Sequence, residues 1–137
     1  MPLPFEPLTN PILEAAFEVW QELGPGFLEP VYEAALYIAL KDKGLMVERQ
    51  IPVQVRFRGH LVGTHHIDLL VGQEVALEVK ADPSLTLEHS TRMLNHLKAS
   101  GRPVGIFINF GTPKLEWRRI FNRLGPEAEE GIQEGLS

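Results

Sequence analysis

Three charged residues, Asp68, Glu78 and Lys80, lie in an otherwise apolar stretch in the middle of the chain. Glu78 and Lys80 are two residues apart, so a β-strand would place both side chains on one face. Charged groups on a buried strand are costly unless they pair or bind something. Two carboxylates with a lysine beside them therefore predict a site for a hard divalent cation. The lysine would orient a water or neutralise charge on a phosphate.

The turn between the two apolar runs decides whether the acids can meet. A two-residue turn that pairs Val71 with Glu74 would put Asp68 and Glu78 on opposite faces of the hairpin. A three-residue turn pairs Val71 with Val75 and sets Asp68 directly across from Glu78, with Cβ atoms about 4.5–5.5 Å apart. Only the second arrangement allows a shared ion, because Mg²⁺ binds oxygen at about 2.1 Å.

Two further motifs flank this stretch. A Gly-x-Gly-x-x-Glu-x-x-Tyr motif occupies residues 24–32, and an Asn-Phe-Gly-x-x-Lys-Leu motif occupies residues 109–115, followed by Arg-Ile at 119–120. With the Asp…Glu-x-Lys pattern between them, the chain resembles a small branch of the PD-(D/E)XK nuclease superfamily over about residues 8–123. A bare Asp…Glu-x-Lys pattern occurs by chance in many proteins, whereas three collinear motifs are specific to the family.

The resemblance implies an enzyme that hydrolyses phosphodiester bonds of nucleic acid, with DNA as the expected form, using Mg²⁺ or Mn²⁺. It implies that Asp68, Glu78 and the main-chain carbonyl of Val79 hold the metal. Lys80 would position or activate a water, and Glu29 would add an acidic group from the first helical layer. The alternative for Lys80 is a structural salt bridge to Glu78. The alternative function is an inactive protein that keeps the nuclease fold as a nucleic-acid or protein-binding module.

Other polar residues are weaker candidates. Glu33 lies one turn after Glu29 and reads as a solvated residue. Arg92 and His96 stand where the family usually has Gln and Tyr, the pair that related nucleases use near the scissile phosphate. Arginine and histidine can still contact phosphate, so both are candidate phosphate-binding residues. A solvated helix face is the alternative.

Hydrophobic periodicity predicts a mixed α/β sheet with the element order α-α-β-β-β-α-β-β, as in a restriction-endonuclease-like core. A right-handed crossover through the third helix would make the third and fourth strands parallel. Residues 1–123 are expected to form one domain and 124–137 an irregular acidic tail. The predicted elements are helices at 10–23, 28–43 and 86–99, strands at 45–57, 61–71, 75–81 and 104–110, and an edge strand at 115–121.

Charge and composition restrict the function further. The net charge is −5, but all 13 Lys and Arg lie in 41–123, where eight acids leave a net +5. This block could be a basic working face or ordinary surface solvation.

No signal peptide and no membrane span are expected, which favours a cytoplasmic protein, with monomer and homodimer both left open. Without cysteine or a His-x₃-His helix, the sequence indicates no zinc site. Alternation places His66, not His65, on the face of Asp68.

Overall fold

A computed structural model describes residues 6–83, 86–122 and 130–136. Within these ranges, six strands form one mixed sheet in the order β1-β2-β3-β4-β5-β6, and only the β3–β4 pair among them is parallel. The predicted α/β fold and the parallel crossover are confirmed. The elements are α1 (Glu6–Leu23), α2 (Glu29–Asp42), β1 (Val47–Phe57), β2 (His60–Val71), β3 (Val75–Lys80), α3 (Leu87–Ser100), β4 (Val104–Asn109), β5 (Glu116–Asn122) and β6 (Glu130–Leu136).

Both ends of the chain depart from the prediction. Helix α1 begins at Glu6, so Pro11 lies inside the helix instead of at its first position. A proline this close to the start removes one intrahelical hydrogen bond, a loss that packing of α1 on the sheet can offset. The irregular tail is wrong for Glu130–Leu136, which pair with β5, so β5 is not an edge strand. Backbone pairing supplies these hydrogen bonds whatever the side chains, and 123–129 lie outside the described residues.

Apolar side chains cover both faces of the sheet. On one face α1 and α2 pack through residues such as Ile12 and Leu36, and on the other face α3 packs through Met93 and Leu97. Strand β4 is buried along its whole length between these two layers, as its continuous apolar run predicts. Within the described ranges, no helix combines the length and apolar character needed to cross a membrane.

The inward face of β2 changes at Asp68. Ile67 packs in the cluster under α3, whereas Leu69 packs in the cluster under α1 and α2. Residues two apart on a regular strand share a face, so the strand must twist between them. On β1 the neighbouring Gln50 has a φ of +50°. Before it, Val47 packs in the cluster under α1 and α2; after it, Ile51 packs in the cluster under α3.

Beyond this twist, β1 and β2 form a two-stranded arm. The β2–β3 ladder covers Leu69–Val71 only, while the β1–β2 ladder continues to Phe57 and His60. The arm ends in a two-residue turn, Arg58-Gly59, with positive φ at both residues, which matches the twist of paired strands. The sheet therefore forks between β2 and β3 at Asp68.

Candidate functional site

The turn between β2 and β3 has the three-residue form that a shared site requires. Val71 pairs with Val75 across residues 72–74. Gly72 and Gln73 both have positive φ, which the turn demands. The prediction of a three-residue turn is confirmed. Asp68 lines a cavity beside α2, whereas Glu78 lies against His96 of α3, and the two carboxyl groups still interact with each other.

Asp68 is fixed in position by the main chain of the neighbouring strand. Its Oδ2 accepts a hydrogen bond of 2.8 Å from the N–H of Val79, so a side chain satisfies that N–H where the ladder has ended. Its Oδ1 lies 3.4 Å from the amide nitrogen of Gln50. The carboxylate is thus oriented before any ligand arrives.

A cavity of about 200 Å³ joins Asp68 and Val79 to Glu29 on the first turn of α2. Three of the predicted site residues therefore meet at one place. Glu33 lines the same cavity and is 13% exposed, with Arg49 at 2.9 Å and Gln50 at 2.8 Å from its two oxygens. The expectation that Glu33 is a solvated residue is wrong, because the twist in β1 brings these two side chains against α2.

Glu78 is almost fully buried, with 4% of its surface exposed. One carboxylate oxygen lies 2.9 Å from Nε2 of His65 and 3.9 Å from Nδ1 of His96. Burial raises the pKa of Glu78 to about 7; the His65 contact opposes this rise, and the charge and contact of Asp68 add to it. Glu78 and Asp68 are therefore close enough to repel each other when both are ionised.

Two histidines from different elements enclose Glu78. The rings of His65 on β2 and His96 on α3 stack with centroids 3.2 Å apart and planes at 15°. Burial lowers the pKa of His96 to about 4, and the nearby charges of His65, Arg92 and Lys80 lower it further. His96 is consequently neutral at pH 7.

Sequence reasoning did not single out His65. Alternation along β2 pointed to His66, whose side chain is exposed, whereas the contact with Glu78 is made by His65. The reason is the twist at Asp68, because alternation counted from Asp68 assigns the wrong face to residues beyond the twist. The positive φ of the neighbouring Gln50 has no signal in the residue type, since glutamine rarely adopts it.

The two remaining candidates lie on the α3 side of the site. Lys80 ends β3, and in the part of the chain that the structure describes it makes no ion pair with Glu78, whose close partner is His65. Arg92 is half exposed and lies 2.9 Å from Glu88 one helical turn away. A phosphate contact by Arg92 would therefore replace a surface ion pair, which contributes little to stability.

The first flanking motif fixes the start of α2. Tyr32 is fully buried and its ring stacks on that of Phe110 at 4.7 Å. Its hydroxyl donates to the carbonyl of Gly24 and accepts from the N–H of Phe27 at 3.1 Å. The motif thus anchors the loop before Glu29 to the second flanking motif across the core.

The second flanking motif clamps the chain just after Lys80. The Asn109 side chain accepts from the N–H of Asp82 and donates to the carbonyl of Asp82, each at 3.0 Å. Gly111 lies against the same segment, where a Cβ would come within 2.5 Å of backbone atoms of Ala81 and Asp82. The first motif therefore fixes the start of α2, which carries Glu29, and the second fixes the segment that follows Lys80 at the end of β3.

We expect Gly111→Ala to lower the free energy of unfolding by about 1–3 kcal/mol, because the added methyl must displace backbone atoms. Urea unfolding measures the change. Gly63→Ala is the matched control, since a Cβ there meets nothing within 4 Å, and its stability should match that of the wild type or exceed it. Equal stability of the two variants would show that the segment after Lys80 is not clamped.

Comparison with known proteins bears on this arrangement. A family model described as the PD-(D/E)XK nuclease superfamily matches residues 6–120, a range that includes Asp68, Glu78, Lys80 and both flanking motifs. No curated protein matches the chain. A solved structure, titled "Crystal structure of SSO0001", has a TM-score of 0.51 and 14% identity, and the alignment covers 75% of this chain. The chain spans 48% of that protein, and the likeness bears on the fold alone.

Proposed function

Because the chain belongs to the PD-(D/E)XK nuclease superfamily, we propose that it is a divalent-metal-dependent nuclease that hydrolyses phosphodiester bonds, with DNA as the expected substrate. The observation that supports this proposal is the meeting of Asp68, Glu29 and Val79 in one cavity next to the buried Glu78. These residues come from three elements, and the fork between β2 and β3 brings them together.

The chemistry of these residues fits a hard divalent cation. Asp68 and Glu78 are neighbouring carboxylates, and the raised pKa of Glu78 reflects burial without enough positive charge nearby. A Mg²⁺ or Mn²⁺ ion held by these two residues and the Val79 carbonyl would relieve both the burial penalty and the repulsion. When bound, such an ion polarises the phosphate and acidifies a water.

The side chains around this position have separate roles in the proposal. The N–H of Val79 orients the Asp68 carboxylate, and Glu29 adds negative charge from the helix side of the cavity. Lys80 follows Glu78 on the same strand face and positions the attacking water or stabilises charge on the phosphate. Arg92 and His96 contact phosphate, and His96 does so as a neutral hydrogen-bond donor.

Two observations favour a second candidate function, an inactive nuclease fold that binds nucleic acid or protein. One Glu78 oxygen is already engaged by His65 at 2.9 Å, and Arg92 is engaged by Glu88. In an inactive module these contacts would be permanent. In an enzyme they would exchange when metal and substrate bind.

We expect wild-type protein to cleave labelled DNA or RNA in Mg²⁺ or Mn²⁺ and to stop cleaving in EDTA. Asp68→Asn should lower the rate at least 10²-fold, since loss of one electrostatic group at such a site typically costs this much. Asparagine can still accept the Val79 hydrogen bond, so the fold should persist. Asp42→Asn, on the exposed last residue of α2, is the control. Binding of nucleic acid without metal-dependent cleavage would favour the inactive module.

A further inference from the structure

A second set of donor atoms meets on the α3 side of the fork. His65 on β2, Glu78 on β3 and His96 on α3 each offer one ligand atom, and these atoms lie within 4.8 Å of one another. Of the three, only Glu78 belongs to the proposed Mg²⁺ site. Asp68 and Glu29 face the cavity at α2 instead.

The donor types select a different class of ion from that of the Asp68 cavity. Mg²⁺ prefers oxygen ligands and keeps several waters. Imidazole nitrogen suits Zn²⁺ and the neighbouring divalent transition metals. Two histidines and one glutamate, with a fourth position left open, are a ligand set of catalytic zinc sites. The three residues come from three elements, so no short sequence motif indicates this ligand set.

The protein leaves one of these donors unused. Nδ1 of His96 is buried and has no hydrogen-bond partner among the described residues, and an unsatisfied buried polar atom destabilises a fold. It lies 3.9 Å from the Glu78 carboxylate. An ion between the two would use the free lone pair.

We propose that His65, Glu78 and His96 form a binding site for a divalent transition-metal ion of the Zn²⁺ class. The site shares Glu78 with the proposed Mg²⁺ site, but its two histidines lie outside the cavity that Asp68 lines, and it does not depend on the nuclease function. Binding replaces the contact between His65 and Glu78 with two metal–ligand bonds. The two rings are stacked, so they must reorient towards Glu78 when the ion binds.

Co²⁺ is the probe, because its visible absorption depends on the coordination number, whereas Zn²⁺ has no visible absorption bands. Metal-free wild-type protein should bind one Co²⁺ with the intense bands of a four-coordinate site, and Zn²⁺ should displace it. His65→Phe and His96→Phe, which keep an aromatic ring in the stack, should each weaken binding at least about tenfold. His66→Phe is the matched control, because His66 is exposed and should bind Co²⁺ like the wild type.

Two results would overturn the proposal. One is a wild-type spectrum of weak, six-coordinate bands only. The other is Co²⁺ binding that survives the replacement of both His65 and His96 but is lost in Asp68→Asn, which would locate the ion in the cavity. The wild-type spectrum needs no variant, so poor folding of a variant leaves the test intact. An active nuclease without four-coordinate Co²⁺ bands would remove this site and keep the proposed function, and an inactive protein with those bands would do the reverse.

Discussion

Replacing Lys80 with Ala should lower the rate of phosphodiester cleavage by about 10²–10³-fold and leave the free energy of unfolding nearly unchanged. The rate falls because one electrostatic contact to the reacting phosphate or its water is lost. The stability holds because Glu78 is contacted by His65 at 2.9 Å, so removal of Lys80 does not leave Glu78 without a partner. Single-turnover cleavage and urea unfolding measure the two quantities.

Two controls make the Lys80 result specific. Lys41→Ala removes an exposed lysine near the end of α2 and should cleave like the wild type. Lys80→Ala should also bind Mg²⁺ like the wild type, because the proposed metal ligands remain. A loss of about 3–5 kcal/mol in stability with full activity would instead identify Lys80 as the structural partner of a buried carboxylate.

In metal-free buffer at pH 8, Glu78→Gln should be more stable than the wild type by up to about 3 kcal/mol. The pKa of Glu78 is 4.5 when unperturbed and about 7 in the folded protein. Between these pH values the folded state holds a proton that the unfolded state has released. Wild-type stability therefore falls as the pH rises through this window, at about 1.4 kcal/mol per pH unit. Glutamine does not titrate and escapes the loss.

The titration of His96 makes stability depend on pH in the direction opposite to that of Glu78. Its pKa falls from 6.5 to about 4 on folding, so from pH 4 to pH 6.5 the unfolded state holds a proton that the folded state lacks, and stability rises with pH. The two slopes offset each other in the wild type over pH 4.5–6.5. Glu78→Gln should leave the rising slope, and His96→Phe should leave the falling slope.

Urea unfolding in EDTA from pH 4 to pH 8 measures all three curves. Glu74→Gln, in the exposed turn before β3, should reproduce the wild-type curve. Parallel curves for wild type, Glu78→Gln and His96→Phe would mean that neither buried group has the protonation state assigned to it. Addition of a divalent cation should restore wild-type stability at pH 8, because the ion stabilises the ionised carboxylate.

The sequence was sufficient for those parts of the site that depend on local pattern. The Gly-led turn between two apolar runs and the alternation of Val75, Leu77 and Val79 follow from residue types in one short stretch, and the structure has both. The crossover to Val104–Asn109 follows from a handedness rule that holds for nearly all such connections. These inferences need no knowledge of distant packing.

The histidine pair and β6 depend on packing that the sequence does not encode locally. His65 meets Glu78 because β2 twists at Asp68, and the twist accompanies a positive φ at Gln50. Strand β6 forms because the backbone of β5 offers it hydrogen bonds, while its own residues include two glycines and two glutamates that are poor strand formers. Neither the twist at Asp68 nor the pairing of β6 can be inferred from hydrophobic periodicity.

The arm formed by β1 and β2 has a consequence for how the chain can change in length over evolution. At its tip, Arg58-Gly59, added pairs of residues would lengthen β1 and β2 equally. Every residue between the tip and the twist would then stay on the same face of the sheet. Near Gln50 the same arm has no such freedom. A single inserted residue between Val47 and Ile51 would exchange the two sets of buried residues on β1, and it would withdraw Gln50 from Glu33 and Asp68. Related chains are therefore expected to vary in arm length at the tip and to keep a constant spacing through the twist.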